Sequence, residues 1–265
     1  MKSICYRNTF LFVFVLLFSA LDGKAQDRQF ATTYQSNVLG KGQRDLEIWT
    51  TYKNSGDGKL ALLNRLEFEF GLGKRLQASL YLNQSAMRIV EHSTQVPNLT
   101  NSFSVSTELK YNVLTLGSSP VGIALYAEGN VSVEGYGWES KLIMDWRSRH
   151  HLVATNLVVE RELKLPISPN AGNSSETKLE GVVGYMYLFS PSFGIGLEGT
   201  TERELSLHDS KGESASEFVV GPSLYLARGT SFVIFHTYKS IGRREGVGVF
   251  SSRDIFVRLL IGVRL

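Results

Sequence analysis

The sequence predicts an all-β fold, a single antiparallel transmembrane β-barrel of about 12 strands. Three observations lead to this prediction. The N-terminus has the features of an export signal, polar and apolar residues alternate with a period of two along most of the chain, and short and long connections alternate between the predicted strands.

The first 25 residues have the organisation of a secretory signal peptide. Lys2 and Arg7 precede an apolar run over residues 10–18, and Gly23 and Ala25 are small residues at the positions that a signal peptidase recognises. We therefore predict cleavage after Ala25 and export to the bacterial outer membrane. An N-terminal membrane anchor is the alternative, but the run is about half the length of a spanning helix, which needs roughly 20 apolar residues.

The composition of the mature chain excludes several function classes. The whole chain has 28 basic and 25 acidic residues, and removal of the signal leaves 25 and 24, a net charge of +1. Charges of both signs are interspersed, so there is no basic stripe of the kind that nucleic-acid binding requires. The one cysteine, Cys5, lies in the signal, which excludes disulfides, thiolate metal sites and a cysteine nucleophile in the mature chain.

Period-two alternation is the main evidence for strands. Leu66, Phe68 and Phe70 alternate with Glu67 and Glu69, which gives the segment one apolar and one polar face. Many of the segments have about the 9 to 11 residues that a tilted membrane strand needs. The predicted strands are 46–53, 66–72, 76–83, 103–113, 121–133, 138–146, 152–162, 178–189, 193–202, 217–227, 232–239 and 254–265.

The connections between these strands alternate in length. Links after even-numbered strands are short and turn-like, at 73–74, 117–120, 147–150, 190–192 and 228–230. Most links after odd-numbered strands are longer and polar, at 54–58, 89–102, 163–175, 204–216 and 242–253, with 135–137 as a short exception. Outer-membrane barrels have short periplasmic turns and longer extracellular loops. The predicted domains are therefore a signal peptide (1–25), an N-terminal extension that is either a plug or a periplasmic tail (26–43), and the barrel (44–265).

Charge distinguishes the two faces of the predicted wall. A surface that faces lipid excludes charge, so the charged members of each alternating segment are expected to line the lumen. Both signs occur among them, which favours a network of ion pairs over a filter selective for one sign. A water-soluble β-sandwich or barrel with an apolar interior is the alternative. The lumen-lining candidates are Glu67, Glu69, Glu108, Lys110, Glu128, Lys178, Glu180, Glu198, Glu202, Arg258 and Arg264.

Large aromatic residues mostly fall toward the ends of the predicted strands. Tyr and Trp at these positions would form girdles at the two membrane interfaces. They are Trp49, Tyr52, Tyr111, Trp138, Trp146, Tyr185, Tyr187 and Tyr238.

No residue pattern predicts a catalytic or metal site. A lipid-modifying hydrolase would need a nucleophile beside a base, and His236 with Ser231 or Ser240 is the one pairing on the predicted wall. His150 and His151 are adjacent, so on a strand they would point to opposite faces and could not easily share a metal ion. We therefore predict no catalytic residues, no metal and no cofactor, with the hydrolase as the alternative function.

Two stretches resemble a known family. They are Glu67–Leu82, with the sequence EFEFGLGKRLQASLYL, and Phe218–Leu265, which contains Val220–Tyr225 (VGPSLY) and Leu260–Val263 (LIGV). They resemble the outer-membrane barrel family labelled as transporters of the phenol meta-cleavage (MetA) pathway. The resemblance implies a transport role and transfers no binding residue. Lys74 stands where such turns often carry Asp, and the final Leu265 is not the aromatic that many barrels present to the insertion machinery.

We therefore expect a narrow channel/transporter or binding barrel for a small solute, with hydrophobic solutes among the candidates, or a structural envelope protein. About 12 strands place the barrel between small barrels filled by side chains and the 16- to 18-stranded porins with an aqueous channel. The expected partners are the lipid bilayer, the barrel-insertion machinery and a small solute, and nucleic acid is not expected.

Overall fold

The computed structural model describes residues 28–55, 59–90, 97–165, 174–205, 216–243 and 255–265. The predicted signal peptide and its cleavage site lie outside these ranges. None of the described residues belongs to a helix long and apolar enough to cross a membrane. The strands are β1 (Arg44–Ser55), β2 (Lys59–Gly73), β3 (Leu76–Val90), β4 (Pro97–Leu114), β5 (Gly122–Ser132), β6 (Gly135–Ser148), β7 (His151–Lys164), β8 (Ser174–Ser190), β9 (Phe193–Leu205), β10 (Ser216–Arg228), β11 (Ser231–Arg243) and β12 (Ile255–Arg264).

The strands form one closed antiparallel barrel. Each strand pairs with its neighbours in the sequence, and β1 pairs with β12 to close the wall, with Leu46 opposite Val263 and Lys53 opposite Phe256. Closure leaves no sheet edge, so every backbone polar group in the ladder can be paired inside a membrane. The predicted class and strand number are confirmed.

Several strands are longer than predicted. β2 begins at Lys59 and β4 at Pro97, where alternation predicts starts at 66 and 103. Asn98 therefore lies in β4, paired with Ile89 of β3, and not in a loop. Beyond the bilayer both faces of a strand meet water, so the backbone ladder continues after the alternation of polar and apolar residues has stopped.

The polarity of the barrel is inside out compared with a soluble protein. Leu66, Leu109 and Leu197 point outward and are 41%, 53% and 54% exposed, whereas Glu67 and Glu108 point inward and are 0% and 2% exposed. A water-soluble barrel would bury the leucines and expose the carboxylates. The apolar outer belt is the surface that a transmembrane barrel presents to lipid.

The predicted aromatic girdle is partly wrong. Tyr111, Trp138 and Trp146 are half exposed on the outer surface, as predicted. Trp49 is only 6% exposed and shares the inward face of β1 with Glu47. Period two requires this, because residues 47 and 49 lie on the same face of a strand.

The alternation of link lengths predicts how the barrel is oriented in the outer membrane. The short turns, including Gly229 between β10 and β11, lie at one end of the barrel, and the link that contains Lys211 joins β9 and β10 at the other. We expect an epitope tag inserted at Lys211 to bind antibody on intact cells, and a tag at Gly229 to bind only after permeabilisation, because the short turns of such barrels face the periplasm. Antibody labelling measured by flow cytometry tests this. Labelling of the Gly229 tag on intact cells would invert the orientation.

Candidate functional site

Residues 28–43, called here the N-terminal segment, run through the inside of the barrel before β1 begins. Phe30 and Ala31 are fully buried. The segment folds back on itself, because the Gln35 side chain accepts a hydrogen bond from the Gln29 backbone N–H (2.8 Å) and donates one to the Gln29 side chain (2.7 Å). Several of its other polar groups are bound by side chains of the barrel wall.

Glu198 of β9 makes the densest set of these contacts. Its carboxylate accepts hydrogen bonds from the backbone N–H groups of Ala31 (2.9 Å), Thr32 (2.7 Å) and Thr33 (2.8 Å), and from the Thr33 hydroxyl (3.1 Å). The Glu198 side chain is 1% exposed, and His236 Nδ1 of β11 lies 3.3 Å from it. A carboxylate bound by several N–H groups is a charge-assisted arrangement stronger than neutral hydrogen bonds.

Asn156 of β7 binds both backbone polar groups of Tyr34, the next residue of the segment. Its side-chain oxygen accepts a hydrogen bond from Tyr34 N–H (2.7 Å), and its amide nitrogen donates one to the Tyr34 carbonyl (2.9 Å). Burial raises the pKa of the Tyr34 hydroxyl to about 12. The hydroxyl is therefore protonated at neutral pH.

Three further wall residues continue the same pattern toward the short-turn end. Asp145 of β6 accepts a hydrogen bond from the Ser36 hydroxyl (2.5 Å), and Gln77 of β3 accepts one from Leu39 N–H (2.9 Å). Asn112 of β4 donates to the Ser36 carbonyl (2.8 Å). The wall thus satisfies backbone groups that would otherwise be buried without partners.

Arg28 anchors the start of the segment against β1. Its guanidinium lies 3.3 Å from the Glu47 carboxylate and stacks over the ring of Trp49, 4.3 Å from the ring centroid. Burial alone would lower the pKa of Arg28, but the neighbouring Glu47 carboxylate raises it, and the net direction is upward. Trp49 Nε1 also donates to Glu47 (2.9 Å), so these three residues form one connected group.

Two glycines allow the segment to lie directly against the wall. A Cβ at Gly71 of β2 would stand 1.9 Å from the Gly40 carbonyl oxygen, and one at Gly184 of β8 would stand 2.8 Å from both Phe30 and Thr33. Gly71 also exchanges backbone hydrogen bonds with Gly42 and Gln43. A side chain at either glycine would therefore collide with the segment.

An apolar cluster fills part of the lumen beside the segment. It joins Phe30 and Ala31 to buried side chains that point inward from several strands, among them Leu152, Met186, Phe232 and Leu260. Burial of such side chains contributes about 1.5 to 3 kcal/mol each. Both apolar packing and hydrogen bonds therefore hold the segment in place.

A cavity of about 550 Å³ occupies the lumen on the other side of the segment, toward the ends of the strands that carry the odd-numbered links. Thr32 and Tyr34 of the segment contribute to its lining, together with mostly polar wall residues such as Arg65, Asn83 and Lys141. Its volume lies in the range typical of small-molecule sites. The described structure therefore has a polar chamber whose floor includes the segment.

The lumen candidates predicted from the sequence fall into four groups. Glu67, Glu69, Glu108 and Lys110 are buried. Glu128, Glu180 and Arg258 line the cavity. Glu198 binds the segment. The remaining candidates form ion pairs at the strand ends, Lys178 with Glu202 (3.7 Å) and Arg264 with Asp45 (3.1 Å).

Several residues of the site were not among those candidates. Glu47 and Arg28 hold the start of the segment, Asn156 and Asp145 bind its middle, and Glu160 lines the cavity. Glu47, Asp145, Asn156 and Glu160 lie on inward-facing positions by period two, so alternation could have found them. Arg28 lies outside any alternating segment, and no sequence signal indicates its position.

The pairing considered for a hydrolase is not formed. Ser240 lies four residues from His236 on the same strand, about 13 Å away at the rise of a β-strand. Ser223 of β10 is instead the residue opposite His236. Its hydroxyl has no hydrogen-bond partner among the described residues, and both side chains are 2% exposed. In this conformation no substrate could reach them.

Comparisons with known structures agree with this architecture. The COG4313 outer-membrane channel from Pseudomonas putida F1 superposes with a TM-score of 0.64 at 8% identity, covering 89% of this chain and 100% of that one. The translocator domain of the autotransporter NalP from Neisseria meningitidis gives a TM-score of 0.57 at 10% identity, covering 86% and 89% of the two chains. The NanC porin gives 0.54 at 12% identity, covering 83% and 100%. The chain has the fold of an outer-membrane β-barrel.

Comparisons at the sequence level do not indicate a function. Residues 22–136 match a family model described as a family of unknown function (DUF6662). No curated protein matches the sequence. The barrel part of the resemblance seen in the sequence is therefore supported, whereas its pathway label has no support from these comparisons.

Proposed function

We propose that this chain is a gated outer-membrane channel for small polar solutes, closed in the described conformation by the N-terminal segment. The observation that carries the proposal is the way the wall binds the segment. Glu198, Asn156 and Gln77 bind its backbone through side chains, and the described part of the segment adds no strand to the barrel. Such contacts can be broken without opening the wall itself.

The energetics permit such movement. A hydrogen bond between protein groups contributes roughly 0.5 to 1.5 kcal/mol net, and one to a charged group roughly 1.5 to 3 kcal/mol. Opening the barrel wall would break a whole backbone ladder at once, whereas withdrawal of the segment breaks its side-chain hydrogen bonds and the apolar packing of Phe30 and Ala31 but leaves the ladder intact. We therefore expect the segment, and not the barrel wall, to move when the channel opens.

The lining of the cavity favours a polar solute over a hydrophobic one. The side chains of Asn64, Asn83, Gln84 and Asn130 line it together with charged residues of both signs. A hydrophobic solute would leave these groups without water and without hydrogen-bond partners, which is costly. The resemblance to transporters of the phenol meta-cleavage pathway supports transport in general and does not identify the solute. A purely structural envelope role would not require a chamber of this size.

Export and insertion belong to the same proposal. A signal peptide that ends at Ala25 would make Arg28 the third residue of the mature chain, and Arg28 is held inside the barrel. The barrel-insertion machinery would then fold the mature chain into the outer membrane. We expect N-terminal sequencing of the protein purified from outer membranes to begin at Gln26. A sequence that begins at Met1 would make the first segment an anchor.

The proposal is tested by removing hydrogen bonds that keep the N-terminal segment in the lumen. Glu198→Ala removes the acceptor of three backbone hydrogen bonds, and we expect a loss on the order of 2 to 4 kcal/mol in the stability of the closed state. Since 1.4 kcal/mol is a factor of ten, the open fraction should rise roughly 30- to 700-fold. The measurement is single-channel conductance in planar lipid bilayers.

Glu202→Gln is the matched control for this experiment. Glu202 points inward from the same strand four residues away, but its side chain is 44% exposed and pairs with Lys178. We expect its conductance to equal that of the wild type. If Glu198→Ala folds but opens no more often than Glu202→Gln, the segment does not gate the barrel.

A further inference from the structure

A cluster of buried carboxylates lies on the inner face of β1, β2 and β4, where the N-terminal segment begins. Glu47 and Glu67 stand directly opposite each other in the register of β1 and β2, and both are fully buried. Glu69 follows on β2, Glu108 lies on β4, and both are also buried. Like charges directly opposite each other on neighbouring strands are destabilising. In their ionised form, these four carboxylates therefore require cations close by.

Several oxygens of this cluster have no hydrogen-bond partner among the residues that the structure describes. They include both carboxylate oxygens of Glu67 and both of Glu108. On β3, between these two strands, the Tyr81 and Ser79 hydroxyls are likewise buried without a partner. Tyr81 stands opposite Glu67, and Ser79 stands opposite Glu108. Buried polar groups are normally hydrogen-bonded, so these oxygens have the capacity to accept hydrogen bonds from a ligand that carries N–H groups.

One of the cations beside the cluster belongs to the N-terminal segment and not to the wall. The Arg28 guanidinium lies 3.3 Å from the Glu47 carboxylate and 4.3 Å from the centroid of the Trp49 ring. A carboxylate next to an aromatic face binds guanidinium and ammonium groups through a charged hydrogen bond and a cation–π contact. Trp49 also lines the 550 Å³ cavity. The position of the Arg28 guanidinium therefore adjoins the chamber.

The wall cations near the cluster do not balance its charge without Arg28. Two of them remain close to it, namely Lys110, two residues from Glu108 on the inner face of β4, and Arg258, whose guanidinium is 5.4 Å from the centroid of the Trp49 ring. With Arg28 in place four carboxylates face three cations, and after the segment withdraws they face two. Three further wall cations are paired with other carboxylates: Arg65 with Glu128 (3.9 Å), Lys141 with Glu139 (2.8 Å) and Arg264 with Asp45 (3.1 Å).

From this arrangement we infer that Arg28 occupies a binding site for a cationic solute, one that carries a guanidinium or ammonium group. The site is formed by the carboxylates of Glu47 and Glu67 and the ring of Trp49. The inference rests on the proposed channel and names its class of solute. When the segment withdraws, water reaches the cluster, and a glutamate in contact with water is ionised at neutral pH. A cation from the chamber then takes the place of the Arg28 guanidinium.

The variant Arg28→Ala tests this inference, because it removes the guanidinium of the segment and leaves every wall residue unchanged. The probe is methylguanidinium, which reproduces the end of the Arg28 side chain, and methylurea is its neutral control of nearly the same size and shape. Binding is measured by isothermal titration calorimetry on the full mature chain in detergent micelles. We expect Arg28→Ala to bind methylguanidinium about tenfold more tightly than methylurea, as one charged hydrogen bond corresponds to at least that factor. The wild type should bind methylguanidinium more weakly than Arg28→Ala does, because Arg28 competes for the same position.

Further variants assign the probe to the cluster. Arg28→Ala/Glu47→Gln/Glu67→Gln should bind methylguanidinium no more tightly than methylurea. Arg28→Ala/Glu202→Gln is the matched control, since Glu202 pairs with Lys178 at 3.7 Å, and it should keep the preference for methylguanidinium.

Heat-modifiable gel mobility shows that each variant has folded, and Arg28→Gln takes the place of Arg28→Ala if the latter does not fold. The inference is overturned by equal affinities of Arg28→Ala for the two probes, by no binding of either, by equally tight binding to the wild type, or by a preference that survives the loss of Glu47 and Glu67. Calorimetry requires no conductance, so this failure is distinct from a failure of gating, which the Glu198→Ala conductance detects.

Discussion

Phe68→Arg is expected to prevent assembly of the barrel or to destabilise it by on the order of 2 to 4 kcal/mol, the cost of a basic residue near the middle of the bilayer. Phe68 lies on the outer face of β2, paired with Leu46 of β1 and Leu80 of β3, and its ring packs 4.8 Å from that of Phe70. An arginine here would face acyl chains on all sides. Urea unfolding in lipid vesicles and heat-modifiable gel mobility measure the effect.

Glu69→Gln is the matched control, because Glu69 is the next residue on the same strand and points into the lumen. Its carboxylate accepts a hydrogen bond from the Gln77 amide (2.8 Å), and a glutamine can accept the same bond. We expect near-normal folding, with a change of at most about 1 kcal/mol. If Glu69→Gln abolishes folding while Phe68→Arg folds normally, the assignment of the two faces is reversed.

The barrel could be predicted from the sequence because its signal is local and repeated. Alternation within each strand indicates which residues face lipid and which face the lumen, as for Phe68 and Glu69. The lengths of the links indicate which end of the barrel faces the periplasm. Strand ends were less predictable. Asn98 lies in a strand because the backbone ladder continues into water, where alternation carries no information.

The occupied lumen could not be predicted, because its contacts join residues far apart in the sequence. Thr33 and Glu198 are 165 residues apart, and Tyr34 and Asn156 are 122 apart. Residues 26–43 have no period, so the sequence left a plug and a periplasmic tail equally open. Alternation can place Glu198 on the inner face, but it cannot say that its partner is the backbone of the N-terminal segment.

A reversible crosslink between the segment and the wall tests the central claim most directly. An ideal Cβ at Gly184 lies 2.8 Å from Thr33 Oγ1, so Thr33→Cys/Gly184→Cys places two sulfurs within reach of a disulfide, for which Cβ atoms are about 3.8 Å apart. The Phe30 ring, also 2.8 Å from that Cβ, must move to make room for the added side chain. The chain has 1 cysteine, Cys5 in the predicted signal, so no other thiol competes. The single variants Thr33→Cys and Gly184→Cys are the controls, and Gly184→Cys reports any opening that the side chain added at position 184 causes by itself.

The measurement is single-channel conductance of the Thr33→Cys/Gly184→Cys protein, oxidised and then reduced in the same bilayer. We expect no openings while the disulfide is intact, because the segment cannot leave the lumen, and after reduction we expect openings at least as frequent as those of Gly184→Cys. Loss of the thiols on oxidation, measured by maleimide labelling, shows that the bridge has formed. Openings that are as frequent before reduction, with the bridge fully formed, as after it would contradict the account, since solutes would then pass without movement of the segment.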